Sequence, residues 1–541
     1  MKFVSDPPIS VKVRKMNERV RWQEKSIADR AIDQTKLILD DRVPDNPEFS
    51  FLVAGDSGTG NHRGHNPQRQ VAELMLAERE SCRFALHTGD VVYLVGSSEY
   101  YLQNFIRPYR EFLVGGEMPS RIAYDRMVFN FPFLPVPGNH DYYDLPLFYG
   151  ILSATALPLR RLLGSKLDLD VGWHGSDRGN AYAKAFLDYL QAHKLPGEID
   201  RHLDTHYTAR TSTGRCLRYQ PGRFTRLPNR YYSFRSGGID FFALDSNTFN
   251  EPLPLPKTKE GDIHRRNLEQ ERQNLEQEKL EMLETSALLS PEIPSEAEQL
   301  DDLRAKLEQV DEMLMDIDKQ LSPDKTAATD FEQLEWLKLS LIASWADSEA
   351  RGRVIYLHHP PYVTEATKWN QAQTLAVRSR LREVFDAAAR EIGEELRGRA
   401  IVDLVLTGHA HCLEYLRTGD TGHADSHINW IICGGSGHSL RRQRVEGPVL
   451  VEGLEQLDRS QVYQSARSNG RSSGSDTGSR QVAESLLYVG RSGEGSHKRR
   501  PYSCLRIDVL DGCPPKFRVR PLVAERFEGK WQDISIEPFV I

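Results

Sequence analysis

The chain has 541 residues, of which 39% are hydrophobic and 9% aromatic, enough apolar material for a sizeable core and too much for a chain disordered throughout. Its 77 acidic against 70 basic residues leave a formal charge of −7, which provides no field for a nucleic-acid backbone and makes nucleic acid an unlikely partner. The first twenty residues contain no apolar h-region, and no later stretch approaches the ~20 apolar residues of a spanning helix, so a soluble, cytoplasmic protein without membrane contact is expected.

The length permits three or four domains at roughly 150 residues each, or one large core with insertions. The six cysteines (Cys82, Cys216, Cys412, Cys433, Cys504, Cys513) lack CxxC spacing and read as reduced structural thiols, although Cys504 and Cys513 flank a strand-like run and could pair under oxidising conditions.

In chain order, residues 1–47 read as an N-terminal extension. Short apolar runs that end in Gly, Asp, Asn or His then recur: FSFLVAGDSG (49–58), RFALHTGD (83–90), FLPVPGNHD (133–141), RVIYLHHPP (353–361) and IVDLVLTGHAH (401–411). Each has the pattern of a buried strand opening into a polar loop. Helical patterns lie between them at 68–80, 99–112, 330–345 and 373–396, which predicts an α/β fold whose loops collect at one sheet edge. Residues 231–246 predict a hairpin around Ser236-Gly237-Gly238, and further strands are expected at 428–433, 502–509 and 516–522, giving a second, more antiparallel sheet packed on the first.

Three stretches read as insertions in a domain spanning 48–541. Residues 147–230 carry few clear strands and have no assigned role. In 258–322, Leu300, Leu303, Leu307, Val310, Leu314, Ile317 and Leu321 recur three and four apart, and Leu268, Leu275 and Met282 seven apart, with Pro291 and Pro294 between the two series. That is the pattern of a coiled-coil helical hairpin, packed on itself or serving as an arm for self-association or a protein partner. Residues 459–498 are rich in Ser, Gly and Arg and read as a disordered loop, with a helix-like segment at 482–487.

The chemistry lies at the strand-to-loop junctions. Two cations about 3.5 to 4 Å apart need a shared carboxylate and several N and O ligands, which must come from different strand ends. Each junction supplies one: Asp56, Asp90, Asn139, His358 or His359, and His409 with His411. In GNHD, His140 is suited to bind a phosphate oxygen and protonate a leaving alkoxide, and Asp141 to orient that imidazole.

At these residues the chain resembles the calcineurin-like metallophosphoesterases, whose motif order is D-x-[HG], G-D-x-x, G-N-H-[DE], a late His, and G-H-x-H. All five motifs occur in order over residues 55–411. The resemblance implies a metallophosphoesterase-type αββα sandwich, two packed mixed sheets flanked by helices, here with the helical-hairpin insertion. The details are similar to the purple acid phosphatase branch, including the tartrate-resistant type. Gly55-Asp56-Ser57-Gly58 lacks the His found two residues after Asp in most other branches, and Gly89-Asp90-Val91-Val92-Tyr93 supplies that branch's phenolate. By this resemblance Asp56, Tyr93 and His411 would hold one metal, Asn139, His358 and His409 the other, and Asp90 would bridge them. Alignment of HHPPY with H-x-P-x-[YW] selects His358 over His359. Phenolate and carboxylates suit Fe(III), and the imidazole and amide set suits Zn(II), Fe(II) or Mn(II).

The expected activity is hydrolysis of a phosphomonoester, on a small molecule or a protein, by metal-bound hydroxide, with Asn139 and His140 on the substrate. The alternatives are a phosphodiesterase, for cyclic nucleotides or other diesters, and a scaffold that recruits partners through the coiled-coil arm. His62 and His65 are further candidates for substrate contact, and Trp173, His174, Arg441 and Arg442 could also reach a substrate phosphate, although the two arginines read first as solvated surface groups.

Overall fold

The computed structural model describes residues 6–58, 66–93, 95–144, 177–290, 292–322, 328–453, 479–494, 497–527 and 530–541. The architecture is the expected one: two mixed β-sheets packed face to face with helices on the outer faces. The smaller sheet runs in the order Lys530–Ser535, Lys516–Phe527, Pro501–Leu510, Phe49–Ala54, Ala85–His87, Phe133–Pro135, and Phe539–Val540 pairs with its second strand. The larger runs Val449–Gly453, Ser479–Val489, Leu413–Thr418, Asn429–Cys433, Leu404–Thr407, Gly352–Tyr356, Ile239–Ala243, Tyr232–Ser236, Ile32–Leu39, Gly214–Tyr219, Ala209–Thr211.

Aromatic residues join the sheets. Phe51 and Phe84 from one side meet Phe234 and Phe241 from the other, with ring centroids 5.3 to 5.5 Å apart and mostly edge to face. Each such ring removed from water contributes about 1.5–3 kcal/mol. Helix Pro67–Glu78 covers the small sheet through Val71, Ala72 and Met75, and it starts where Asn66 accepts from the Arg69 N–H at 3.0 Å. Helices Phe331–Ala346 and Ala372–Ile392 cover the large sheet, burying Leu337, Leu341, Val377, Leu381 and Phe385 against Ile355, Val405 and Ile432.

The hairpin signal at 231–246 corresponds to strands Tyr232–Ser236 and Ile239–Ala243, with Gly237 and Gly238 both at positive φ in the turn. The segment 99–112 differs from expectation. It forms separate short turns, Ser98–Tyr100, Leu102–Ile106 and Arg110–Phe112. Pro108 interrupts the helical hydrogen-bond series, and Tyr101, Phe105, Tyr109 and Phe112 are buried on more than one side. Residues 482–487 are not helical either but lie within the strand Ser479–Val489, where pairing on both edges outweighs local propensity. Residues 459–478 lie outside the described residues.

Within 1–47, Ile32–Leu39 enters the large sheet between Gly214–Tyr219 and Tyr232–Ser236, and helix Ile9–Val20 places Lys12 beside Asp6 at 2.6 Å. Within 147–230, the described part adds helices Asn180–Phe186 and Pro196–His206 and the strands Ala209–Thr211 and Gly214–Tyr219. All six cysteines are free; Cys504 is buried and Cys513 exposed.

In 258–322, helices Lys259–Leu288 and Pro294–Leu321 pack antiparallel. Leu268, Leu275 and Met282 meet Val310 and Ile317, and Arg272 pairs with Asp318 at 2.9 Å while Lys279 pairs with Asp311. No helix among the described residues is long and apolar enough to cross a membrane.

Candidate metal centre

Phe49–Ala54, Ala85–His87 and Phe133–Pro135 run parallel in one sheet, and Gly352–Tyr356 and Leu404–Thr407 in the other, so their C-terminal ends open on one edge of the sandwich. The loops there turn sharply. Asp56, Asp90 and His409 all adopt left-handed backbone, at φ 55°, 54° and 66°. Such conformations cost about 1–3 kcal/mol each and persist where the surroundings enforce them, as at functional sites.

The glycines before Asn139 and His409 answer to close approach. A Cβ on Gly138 would lie 2.1 Å from Asp90 Oδ1, and one on Gly408 would lie 2.5 Å from Asp56 Oδ2. Asp141 ties the junctions together: its buried carboxylate accepts from the backbone N–H of Gly138 at 2.8 Å, Asp90 at 3.1 Å and Val91 at 3.2 Å. The next residue, Tyr142, donates to Asp245 at 2.6 Å, and Asp245 pairs with the fully buried Arg230 at 3.5 Å.

Two sets of donor atoms converge. Asn139 Oδ1 lies 2.8 Å from His358 Nε2 and 3.0 Å from His409 Nδ1. The Tyr93 hydroxyl lies 2.8 Å from Asp56 Oδ1, 2.7 Å from Asp90 Oδ2 and 3.2 Å from His411 Nε2. Asp90 Oδ2 is also 3.4 Å from His358 Nε2, so this carboxylate touches both sets.

Proton counting shows what the cluster lacks. The Tyr93 hydroxyl has one proton for three acceptors. His358 Nδ1 is 2.8 Å from the Thr88 carbonyl and His411 Nδ1 3.1 Å from that of Ser439, so each ring is anchored through Nδ1 and turns Nε2 toward the cluster. His409 Nε2 is buried with no partner among the described residues. Converging lone pairs with too few protons are the chemistry of a cation site, and two groups here could each hold an ion, His358 with His359 and His409, and Asp56 with Asp90 and His358.

Without a cation, the carboxylates and imidazoles must share protons. Burial, then the charge of Asp90, pushes Asp56 up to about 8. Burial acts to raise Asp90 as well, but His358 and His140 hold it below the ordinary carboxylate range. Burial opposes the charge on His358, yet Asp90 and Asp56 raise it to about 9. Burial and the same two carboxylates hold the Tyr93 phenol well above its ordinary value. A bound cation would reverse this order by favouring the deprotonated ligands.

His359 also comes within reach of His358 and His409. However, its Nδ1 is 2.8 Å from Ser246 Oγ and its Nε2 3.1 Å from Asn250 Nδ2, so both nitrogens are engaged away from the cluster. The His140 ring stands beside Tyr93 and Tyr143, at centroid distances of 4.3 and 4.6 Å, and its backbone N–H donates to Asp90 at 2.9 Å. His62, His65, Trp173 and His174 lie outside the described residues.

Arg441 corrects the surface expectation: its guanidinium is buried and donates to the Ala305 carbonyl at 2.6 Å, because the chain after Cys433 folds under the hairpin. Arg442 is half-buried and reaches the Gly493 carbonyl. His438 was passed over. It lies flat on the Tyr93 ring at 4.1 Å and edge-on to His411 at 4.6 Å, and its backbone N–H donates to the Asp56 carbonyl at 3.0 Å. The signal was present, because Gly434-Gly435-Ser436-Gly437-His438 follows the strand Asn429–Cys433 as a sixth strand-end junction.

No family model and no curated protein sequence matches the chain. Solved structures do. A purple acid phosphatase, PPD1, from yellow lupin (Lupinus luteus) seeds is 11% identical with a TM-score of 0.37, over 92% of this chain and 54% of its own. GAP50, the anchor in the inner membrane complex of Plasmodium, is 11% identical with a TM-score of 0.33, over 91% and 89%. PhoD is 12% identical with a TM-score of 0.39, over 92% and 70%. The chain thus spans about half the length of the lupin protein.

Proposed function

We propose that this protein is a phosphoester hydrolase that uses two metal ions, with phosphomonoesters as substrates. The observation that carries the reading is the pair of converging donor sets joined by Asp90, with more lone pairs than protons. Asp56, Tyr93 and His411 would hold one ion, Asn139, His358 and His409 the other, and Asp90 both. The phenol and two carboxylates suit Fe(III) in the first position, and two imidazoles with an amide suit Zn(II), Fe(II) or Mn(II) in the second. When bound, the two cations supply Lewis acidity to the phosphoryl oxygens and lower the pKa of a water toward ~7.

The chain's own groups supply the rest. The buried strand ends fix the ligands, and Asp141 fixes the loops that carry Asp90 and Asn139. As the water oxygen joins phosphorus and the ester P–O bond breaks, the departing alkoxide needs a proton, which His140, whose ring lies beside that of Tyr93, would donate and then regain from solvent. The amide of Asn139, whose Nδ2 donates to the Tyr143 hydroxyl at 2.5 Å, keeps its oxygen turned into the site.

The monoester preference rests on Tyr93, the feature shared with the branch the motifs resemble. Metal analysis and a visible spectrum test the reading: two equivalents of metal are expected, with a phenolate-to-iron band that disappears in Tyr93→Phe. A protein that purifies without metal, and takes none up, would refute it. Parallel assays on a monoester, a cyclic nucleotide and an open diester decide the substrate class.

A further inference from the structure

The second helix of the hairpin, Pro294–Leu321, has two faces at work. Its leucine seam meets the first helix, while Asp302, Ala305, Glu308 and Glu312, three to four residues apart, lie on the body of the protein. Asp302 pairs with Lys498 and Arg500, each at 2.6 Å. The Ala305 carbonyl accepts from Arg441 at 2.6 Å, Glu308 Oε2 is 3.0 Å from His438 Nε2, and Glu312 is 2.5 Å from Lys368 Nζ.

The groups that meet this helix adjoin the candidate metal centre. His438 stacks on Tyr93, and the charges of Lys368 and Arg441 act on His411. Lys368 is fully buried. Arg441 is 2% exposed, and its Nε and Nη2 find no hydrogen-bond partner among the described residues. A buried guanidinium with two unused donors is costly unless something supplies acceptors. The residues of the candidate centre are themselves shut in, since even His140 is only 7% exposed.

We propose that Lys368, Arg441 and His438 form an anion subsite for the substrate's phosphate beside the metal pair, and that Glu308 and Glu312 fill it here as carboxylate stand-ins. The helix Pro294–Leu321 is then an autoinhibitory cover that must lift before substrate enters. This rests on the two-metal reading above. Carboxylates and phosphate oxygens accept the same charge-assisted hydrogen bonds from ammonium, guanidinium and imidazole N–H groups, so one can hold the place of the other.

The test uses the metal-loaded, full-length protein, with inorganic phosphate as the calorimetric probe and p-nitrophenyl phosphate as substrate. The double variant Glu308→Gln, Glu312→Gln should bind phosphate at least about tenfold more tightly and show a similar rise in kcat/KM, the scale of one charged hydrogen bond. Arg441→Met should weaken phosphate binding about tenfold with metal content unchanged. Should the double variant fail to fold, Asp302→Ala loosens the helix from its far end without touching the subsite, and it should raise kcat/KM and speed hydrogen exchange across 294–321. Wild-type phosphate affinity in the glutamate variant or in Arg441→Met, or an unchanged kcat/KM in Asp302→Ala, overturns the cover while normal metal content leaves the two-metal reading standing. Absence of metal uptake overturns both.

Discussion

The sandwich edge and the helical hairpin bring charged side chains to the same space but hold them by different means. At the edge, Asp56, Asp90 and His409 sit on left-handed backbone at the ends of strands buried in the sheets, and neighbouring glycines leave no room for adjustment. Along the hairpin, a narrow leucine seam joins the two helices, and ion pairs such as Asp302 with Lys498 dock them on the body. The first arrangement suits ligands that must be placed to a fraction of an ångström, and the second combines partly exposed pairs such as Asp302 with Lys498 and buried ones such as Glu312 with Lys368.

The largest effect should come from Asp90→Ala, because this carboxylate touches both donor sets. Turnover should fall at least about a thousandfold and metal content should drop, with circular dichroism unchanged. Retained activity would break the contrast between a fixed edge and a movable arm at its root. Next, Leu275→Ala empties part of the hairpin seam and should cost about 2–5 kcal/mol locally. Hydrogen exchange should quicken in 259–321 while metal content stays at the wild-type level, since the edge does not depend on the seam.

A third prediction concerns pH. The folded pKa of Asp56, raised to about 8, means that the metal-free protein binds a proton more tightly than its unfolded chain does. That stability is fully present below the ordinary carboxylate range and is lost as pH rises through about 8. His358, raised to about 9, acts in the same direction, and Asp90, with its depressed pKa, acts oppositely but only below the ordinary carboxylate range. His87, His359, His409 and His411, held neutral by burial, act oppositely up to the ordinary histidine range, so the melting temperature of chelator-treated protein should fall between about pH 7 and 9. The metal-loaded protein should hold steady, because the cation takes the place of the proton. The smallest effect should come from salt. Raising ionic strength screens the partly exposed Asp302 pairs, and kcat/KM should rise only about two- to fivefold, in line with the small energies of such pairs.

Much was legible in the sequence because short apolar runs ending in Asp, Asn or His carry both the strand signal and the ligand type. The runs at 49–58, 83–90, 133–141, 353–361 and 401–411 do open on one edge, and Asp56, Asp90, Tyr93, Asn139, His358, His409 and His411 meet there. The motif alignment favoured His358 over His359, whereas the partners of His359, Ser246 and Asn250, lie over a hundred residues away in the chain and left no trace in the sequence. No spacing in the sequence ties His438 to Tyr93 and His411, whose rings it meets only through the packing of distant strand ends.

The sequence by itself determined the periodic elements: the α/β alternation, the hairpin turn at Gly237-Gly238 and the leucine spacing of 258–322. These depend on neighbours within a few residues, whose preferences act before any tertiary contact exists. Only the tertiary structure decided that Ile32–Leu39 enters the large sheet, that 482–487 is a strand, and that Arg441 is buried. It likewise decided that the face of the hairpin beside its leucine seam lies against His438 and Lys368, next to the candidate metal centre. Charged residues on a helix carry no record of which distant groups will neutralise them, because that choice is made by the packing of the whole chain.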